Sequence, residues 1–273
     1  MKKFSCASIQ MISSDDVNAN LREAGELIEK AAHGGASLVV LPENFALMGE
    51  TESAKLAIAE PEGQGPIQAF LAKTAKDAGV WIVGGTIPLQ ADHGKVYASS
   101  LVIDNQGRQV ARYDKIHLFD VDVPGTNEQY RESNTIAAGD NPLVVSTPFG
   151  MLGVAICYDL RFPELFRSMS RNGLDLLAIP SAFTAKTGHA HWEVLIRARS
   201  IENLCYTIAS NQGGRHSNGR ETFGGSMLVD PWGNVLNSLA QGSGVVLGEI
   251  DTDQTRRTRD AFPVLQHRRL VNC

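Results

Sequence analysis

The chain has 273 residues, 43% hydrophobic and 20% charged, the balance of an ordinary folded α/β-sized domain. Its formal charge of −5, with acids and bases interleaved, offers no basic face to nucleic acid or to an anionic membrane. No apolar stretch approaches the roughly 20 residues of a membrane span, and Met1-Lys-Lys-Phe-Ser-Cys6 enters a strand pattern without a signal-peptide core, which predicts a cytoplasmic protein. The cysteines at 6, 157, 205 and 273 are scattered, so neither a disulfide framework nor a structural zinc site is indicated. Nothing resembles a linker, and one domain over residues 1–273 is expected.

Phe4 to Met11 reads as a first strand. Asp15 or Asp16 caps a helix with an apolar face of Val17, Leu21, Ala24, Ile28 and Ala31, stopped by Gly34-Gly35. A buried strand from Ser37 to Leu41 then ends at Pro42 and delivers Glu43 just beyond its C-terminal end. A glutamate in such a place is more often a solvated side chain than a functional one. Pro66 opens a helix to about Ala78, and Val80 to Thr86 is another apolar strand. Val96–Ile103 and Gln109–Tyr113 flank Asp104-Asn-Gln-Gly107, a hairpin signal. Lys115 follows, where the second strand gives way to a long irregular stretch reaching Gly139.

The second half repeats the theme. Met151 to Ile156 has the composition of a strand buried on both faces, and from Phe162 the spacing turns helical, with Pro163 suited to a first helical position. Cys157 therefore lies at the C-terminal edge of a buried strand, where open α/β sheets bind ligands. A lone cysteine in a strand-rich chain is usually a small buried hydrophobe, and position alone does not change that. Leu174–Ile179 is a strand ending at Pro180-Ser-Ala-Phe-Thr, and Trp192–Leu204 is a helix. Strands are expected over Cys205–Ser210, Gly225–Val229, Val235–Leu239 and Val245–Ile250, with a tight turn at Pro231-Trp-Gly-Asn234. The alternation argues α/β, and the hairpins make the sheets mixed.

A carboxylate at 43, an ammonium at 115 and a thiol at 157 thus emerge at strand ends. Together they suffice for acyl transfer: a base for the thiol, a positive group for the oxyanion and a proton for the leaving amine. A histidine-paired cysteine hydrolase is the rival, left open by seven histidines with no assigned place. The G-x-S-x-G elbow, the P-loop and the dinucleotide-binding glycine motif are absent. His189-Ala-His191 has no neighbouring ligands to complete a metal site.

Leu-Pro-Glu43-Asn-Phe, Asp-Lys115-Ile-His-Leu-Phe-Asp and Ile-Cys157-Tyr-Asp-Leu-Arg-Phe-Pro-Glu-Leu resemble, in order, the three signature segments of the nitrilase superfamily of carbon–nitrogen hydrolases. The segments from Pro180, Arg197 and Asp230 extend the resemblance over nearly the whole chain. It implies a four-layer αββα sandwich with mixed sheets, pairing into a homodimer or a larger homo-oligomer, and a small-molecule amide as substrate. By position it implies Glu43 as general base and acid, Lys115 as oxyanion stabiliser and Cys157 as nucleophile, with Glu132 holding the lysine. The backbone N–H of Tyr158 is the natural second oxyanion donor. No metal and no organic cofactor is called for.

Tyr-Asp-Leu-Arg-Phe-Pro-Glu-Leu-Phe-Arg with His-Trp-Glu is most similar to the branch that cleaves deaminated glutathione, N-(4-oxoglutaryl)-Cys-Gly, to 2-oxoglutarate and Cys-Gly. The ω-amidases of 2-oxoglutaramate are the near alternative, and a non-catalytic binding protein of the same fold is a third. Gly225 stands where many relatives carry a histidine, a departure expected at the pocket rim. Arg161 is open to two readings, a grip on a substrate carboxylate or a structural pair with Asp159 or Glu164.

Overall fold

The chain opens with β1 (Lys3–Gln10), α1 (Val17–His33) and β2 (Ala36–Val40) in a computed structural model that describes residues 3–270. Of the two candidate caps it is Asp16 that starts α1, its carboxylate accepting the Ala19 N–H at 3.0 Å, and Gly34 ends it. Then follow α2 (Ala54–Ala57), α3 (Pro66–Ala78), β3 (Trp81–Val83), β4 (Ile87–Gln90), β5 (Val96–Ile103) and β6 (Gln109–Asp114). The strand expected over Val80–Thr86 is broken, because the chain leaves the ladder at Gly84-Gly85. Gly85 has φ +54° and runs so close to the neighbouring strand end that a Cβ there would lie 2.2 Å from Pro42 O. That approach seats the loop carrying Glu43.

The stretch from 115 to 139 holds a small antiparallel ribbon, β7 (Asp120–Asp122) with β8 (Gln129–Arg131). Beyond it come β9 (Leu143–Thr147), which the sequence reading passed over, β10 (Gly150–Val154), α4 (Pro163–Ser170) and β11 (Leu176–Ser181). α5 (Ala185–Asn203) starts well before Trp192, capped by the Thr184 hydroxyl, which accepts the Thr187 N–H at 3.3 Å. Its first two turns (Lys186, Thr187, His189, His191) are polar and conceal the helix from an apolar-periodicity argument. The chain closes with β12 (Tyr206–Asn211), β13 (Ser226–Val229), β14 (Val235–Leu239), β15 (Gly244–Asp251) and α6 (Thr252–Ala261).

One sheet runs β15–β1–β2–β3–β5, with β4 and β6 also paired to β5. The other runs β14–β13–β12–β11–β10–β9, and its centre, β10 to β12, is parallel. Period-two alternation divides the burial. Ala7, Ile9 and Val39 pack with Ala24, Ile28 and Ala31 of α1 and with Ile67 and Leu71 of α3. Cys6, Leu38 and Val40 join the apolar cluster of the second sheet, whose other side is covered by Phe166 and Met169 of α4 and by Trp192 and Ile196 of α5. The order is helix, sheet, sheet, helix: the four-layer αββα sandwich with mixed sheets. Each large aliphatic side chain buried in these clusters contributes about 1.5–3 kcal/mol. Buried hydroxyls bridge the sheets, Ser8 Oγ donating to Ala209 O at 2.7 Å and Ser210 Oγ to Val40 O at 2.6 Å.

Gly225 is not at the pocket rim. It has φ +67° and lies under the indole of Trp192, whose Nε1 donates to Gly225 O at 2.7 Å. A Cβ at this position would come within 2.8 Å of the Phe223 ring and 3.2 Å of Trp192. The glycine thus serves the packing between α5 and the segment entering β13. Among the described residues, no helix is long and apolar enough to cross a membrane. Cys273 lies outside the described residues.

Candidate active site

Three strand ends in two different sheets converge on one point. Glu43 follows β2, and its backbone is held from both sides. Asn44 N–H donates to Thr86 Oγ1 at 2.8 Å, and Gln212, beyond β12 of the other sheet, donates its Nε2 to Glu43 O at 3.0 Å. Lys115 follows β6, its N–H donating to Ala98 O at 3.0 Å and its carbonyl accepting Gly139 N–H at 2.9 Å. Cys157 follows β10 as the first residue of a 3₁₀ turn, Cys157–Arg161, with φ +47°, a left-handed conformation that costs a non-glycine residue energy.

The side chains meet in the gap. Lys115 Nζ donates to Glu43 Oε1 at 2.8 Å and to Glu132 Oε1 and Oε2 at 3.0 and 2.8 Å. Glu132 opens a short turn after β8 and is anchored by Phe119 N–H, which donates to its Oε2 at 2.7 Å. All three ionic groups are buried, with Lys115 only 1% exposed. The Cys157 thiol is in hydrogen-bonding reach of Glu43 and of the Ala182 N–H just past β11. Tyr158 lines the pocket one residue beyond the thiol, in the leading part of the 3₁₀ turn, where N–H groups are not consumed by the turn's own bonds.

The protonation states follow from this arrangement. Burial pushes the Cys157 thiol well up, and the Glu43 charge pushes it further, against the opposing pull of Lys115 and the Ala182 N–H. Burial alone would raise Glu43, but the Lys115 charge and hydrogen bond, with the bond from Cys157, overcome it and hold the carboxyl below its ordinary value. Lys115 is held well above its ordinary value: burial opposes its charge, and Glu132 and Glu43 outweigh burial. The resting site therefore contains a neutral thiol beside a carboxylate. Moving the proton from sulfur to Glu43 leaves the net charge unchanged, so the transfer does not force a second uncompensated anion into the interior.

Asp159 ties two of the arms together. This fully buried carboxylate accepts Ile156 N–H at 2.9 Å and Tyr113 Oη–H at 2.7 Å through Oδ2. Through Oδ1 it accepts His117 N–H at 2.9 Å and pairs with His117 Nδ1 at 2.8 Å. One side chain thus braces the turn bearing Cys157 and the segment bearing Lys115. Asp159 is therefore not the partner of Arg161. Arg161 lies over the Phe183 ring at 5.3 Å, contacts His191 Nδ1 at 3.2 Å and lines the pocket.

The pocket is narrow and is bordered, besides the groups named, by Asn44, Glu52, Lys55, Tyr130, Phe183 and Arg220. The sequence reading missed Ala182, Glu52, Lys55 and Arg220. Ala182 acts through its backbone and carries no residue-type signal, although its position just past a buried strand repeats that of Glu43 and Cys157. The two histidines at 189 and 191 do not stand together in a metal site: the His189 ring sits edge-on to Phe223. Among the described residues no group of three or more His, Cys, Asp or Glu is placed to hold a metal ion.

The carbon–nitrogen hydrolase family model matches residues 5–260. The chain belongs to that family. A deaminated glutathione amidase of Synechocystis sp. is 45% identical over 276 residues, covering 99% of this chain and 100% of that one. Of solved structures, the C. elegans NitFhit protein superposes with a TM-score of 0.91 at 36% identity, over 98% of this chain and 65% of that one. Saccharomyces cerevisiae Nit3, a member of branch 10 of the nitrilase superfamily, superposes with a TM-score of 0.87 at 30% identity, over 96% and 95% of the two chains. As a carbon–nitrogen hydrolase the protein cleaves carbon–nitrogen bonds other than peptide bonds, and its substrate is a small molecule.

The role of Asp159 as a brace is testable through stability. Asp159→Ala leaves Tyr113 Oη, Ile156 N and His117 N without their buried acceptor, and a loss of about 3 kcal/mol or more is expected. Urea denaturation followed by fluorescence measures it, and Asp159→Asn, which keeps one acceptor, should lose less. A midpoint unchanged in Asp159→Ala rejects the brace.

Proposed function

We propose that the chain hydrolyses deaminated glutathione to 2-oxoglutarate and Cys-Gly through a thioester on Cys157. The observation that carries the reading is the pair of carboxylates closed on one buried ammonium beside a thiol, in a pocket whose remaining charged groups are Arg161, Arg220 and the paired Lys55 and Glu52, a net positive balance. Such a lining suits an anionic amide, and the Synechocystis relative carries the corresponding name.

The steps follow the charges. Glu43 takes the thiol proton as Cys157 Sγ bonds to the amide carbon. Once protonated, Glu43 holds the Lys115 ammonium less strongly, which frees charge for the oxyanion. The Tyr158 N–H supplies a second donor. Collapse breaks the C–N bond, and the proton on Glu43 passes to the departing amine. Glu43, again a carboxylate, then removes a proton from water, whose oxygen attacks the thioester. The acid leaves and the proton returns to sulfur. Glu132 keeps Lys115 in place through both halves.

We also propose a homo-oligomer of at least two copies, in the cytoplasm, the chain forming one domain over 1–273. Trp192 and Ile196 of α5 are spent in the core, so the helix has no single apolar stripe left for a partner. Its other side exposes Val194 (69%) and Ile201 (46%), beside Trp232 (59%) on the turn that packs against Ile201. Such a patch on a soluble domain is typical of an interface. Light scattering at micromolar concentration should give at least twice 29.5 kDa, and a particle of 29.5 kDa removes the proposal.

Steady-state kinetics test the substrate. The 2-oxoglutaryl amide of Cys-Gly should exceed 2-oxoglutaramate in kcat/KM by about tenfold or more, equivalent to ~1.4 kcal/mol of transition-state binding. A preference for 2-oxoglutaramate makes the protein an ω-amidase. Intact mass should show an acyl adduct that is absent in Cys157→Ala, whose turnover should fall by several orders of magnitude. More than a tenth of wild-type turnover in that variant rejects Cys157 as nucleophile.

The pH profile tests the protonation assignment. Because the folded-state pKa of Glu43 is depressed, its basic form persists as pH falls and is lost only below the ordinary carboxylate range. Cys157 and Lys115 are both raised, so near neutrality the first stays a neutral thiol and the second an ammonium. The profile of kcat/KM for the free enzyme should be flat from about pH 6 to 8, a window in which an ordinary imidazole would titrate at about 6.5. An inflection near 6.5 that disappears on replacing a histidine supports the histidine-paired alternative instead.

A further inference from the structure

The pocket at Cys157 adjoins a second, wider chamber that is open to solvent. The two share a neck of Asn44, Glu52, Lys55, Tyr130 and Arg220, whereas Arg161 borders the inner chamber only. The two cations of the neck are not equivalent. Lys55 is paired with Glu52 at 3.1 Å. The Arg220 guanidinium lies over the Tyr130 ring with its carbon 5.0 Å from the centroid, and Nη2 donates to Ala182 O at 2.6 Å. Nη1 has only the Met48 sulfur at 4.0 Å, and Nε is buried with no hydrogen-bond partner. Stacking and one backbone bond therefore fix the group while leaving donors unused. Nε is closed off from the chamber, and Nη1, whose partner is only a weak sulfur acceptor, is the donor left for a ligand anion.

The chemistry of the cleaved amide fits this neck. A dipeptide leaving group places its carboxylate two residues beyond the scissile nitrogen, a reach of about 7 Å. That carries it out of the space at Cys157 and towards the outer chamber. The acyl half, which stays on sulfur, is confined to the inner chamber on the side of Arg161. The outer wall bears Glu50, Glu128 and Glu221. These acids disfavour a carboxylate anywhere in the outer chamber except at Arg220, and they favour the ammonium that the dipeptide acquires once the amide is broken.

We propose that the outer chamber is the subsite for the departing amine half and that Arg220 is the specificity-determining residue that reads its carboxylate. The inference rests on the substrate reading above and adds to it a rule for the leaving group: peptides ending in a free carboxylate are selected, and the same peptide capped as a carboxamide is not. Arg220 also touches Ala182, whose N–H faces the nucleophile, so its replacement will lower turnover in general. The informative quantity is therefore the ratio of two substrates within one variant, in which a general loss cancels.

The experiment compares kcat/KM for the 2-oxoglutaryl amides of Cys-Gly and of Cys-Gly carboxamide, with 2-oxoglutaramate as the amide lacking any peptide. Wild type should prefer the free carboxylate over the carboxamide by about tenfold to a hundredfold, the range of a charge-assisted hydrogen bond. Arg220→Met should bring the two within about threefold of each other, and Arg220→Lys should fall between. Equal rates for the two peptides in wild type, or a discrimination that survives Arg220→Met, overturns the inference even if the acyl half is correctly assigned. Absence of turnover on all three amides removes the acyl assignment and the inference with it.

Discussion

One buried ammonium organises this molecule. Lys115 is almost completely shielded from water, and a charge in that position is tolerable only with close, well-directed partners. Glu43 and Glu132 supply them from opposite directions. The cluster carries one net negative charge, which keeps Cys157 a thiol at rest and makes transfer of its proton to Glu43 the change of least electrostatic cost. Every segment that borders the pocket is constrained by the need to bring these groups to within about 3 Å of one another.

The sandwich meets that need by stacking two sheets face to face so that the C-terminal ends of β2, β6 and β10 come together. Glu43 and Lys115 come from one sheet and Cys157 from the other, so the site spans the seam that the core holds shut. The seam is reinforced by side chains that have no part in the chemistry. Gln212 reaches from the second sheet to the backbone of Glu43, and Asp159 joins the turn of Cys157 to the segment after Lys115. The strained φ of Cys157 persists because Asp159 and the strand behind it determine the turn from both ends. On the outward side, loops between the strands border a chamber open to solvent.

Much of this was legible along the chain. The elements with local signals appear close to where they were expected: α1 between Asp16 and Gly34, α3 from Pro66, and the β5–β6 hairpin around Asp104-Asn-Gln-Gly107. Where local signals failed, a contact from elsewhere is responsible. β3 is cut short because Gly85 must approach Pro42 O, which no window around Val80–Thr86 reveals. The start of α5 was hidden because its first turns pack no apolar stripe and rely on a Thr184 cap. The place assigned to Gly225 at the pocket rim was wrong, since its neighbour across the fold is Trp192, 33 positions away.

By itself the sequence determined the alternation of strands and helices, the placing of Glu43, Lys115 and Cys157 at strand ends, and the family signature that joins them. These are written locally, in side-chain period, in turn residues and in short segments around each functional group. Only the tertiary structure decided that the Ala182 N–H faces the thiol, that Asp159 binds Tyr113 and His117 rather than Arg161, and that Arg220 stands at the neck with an unused donor. The reason is the same in each case. A contact between groups far apart along the chain depends on strand register and on how two sheets pack, and neither leaves a trace in the residues that are neighbours along the chain.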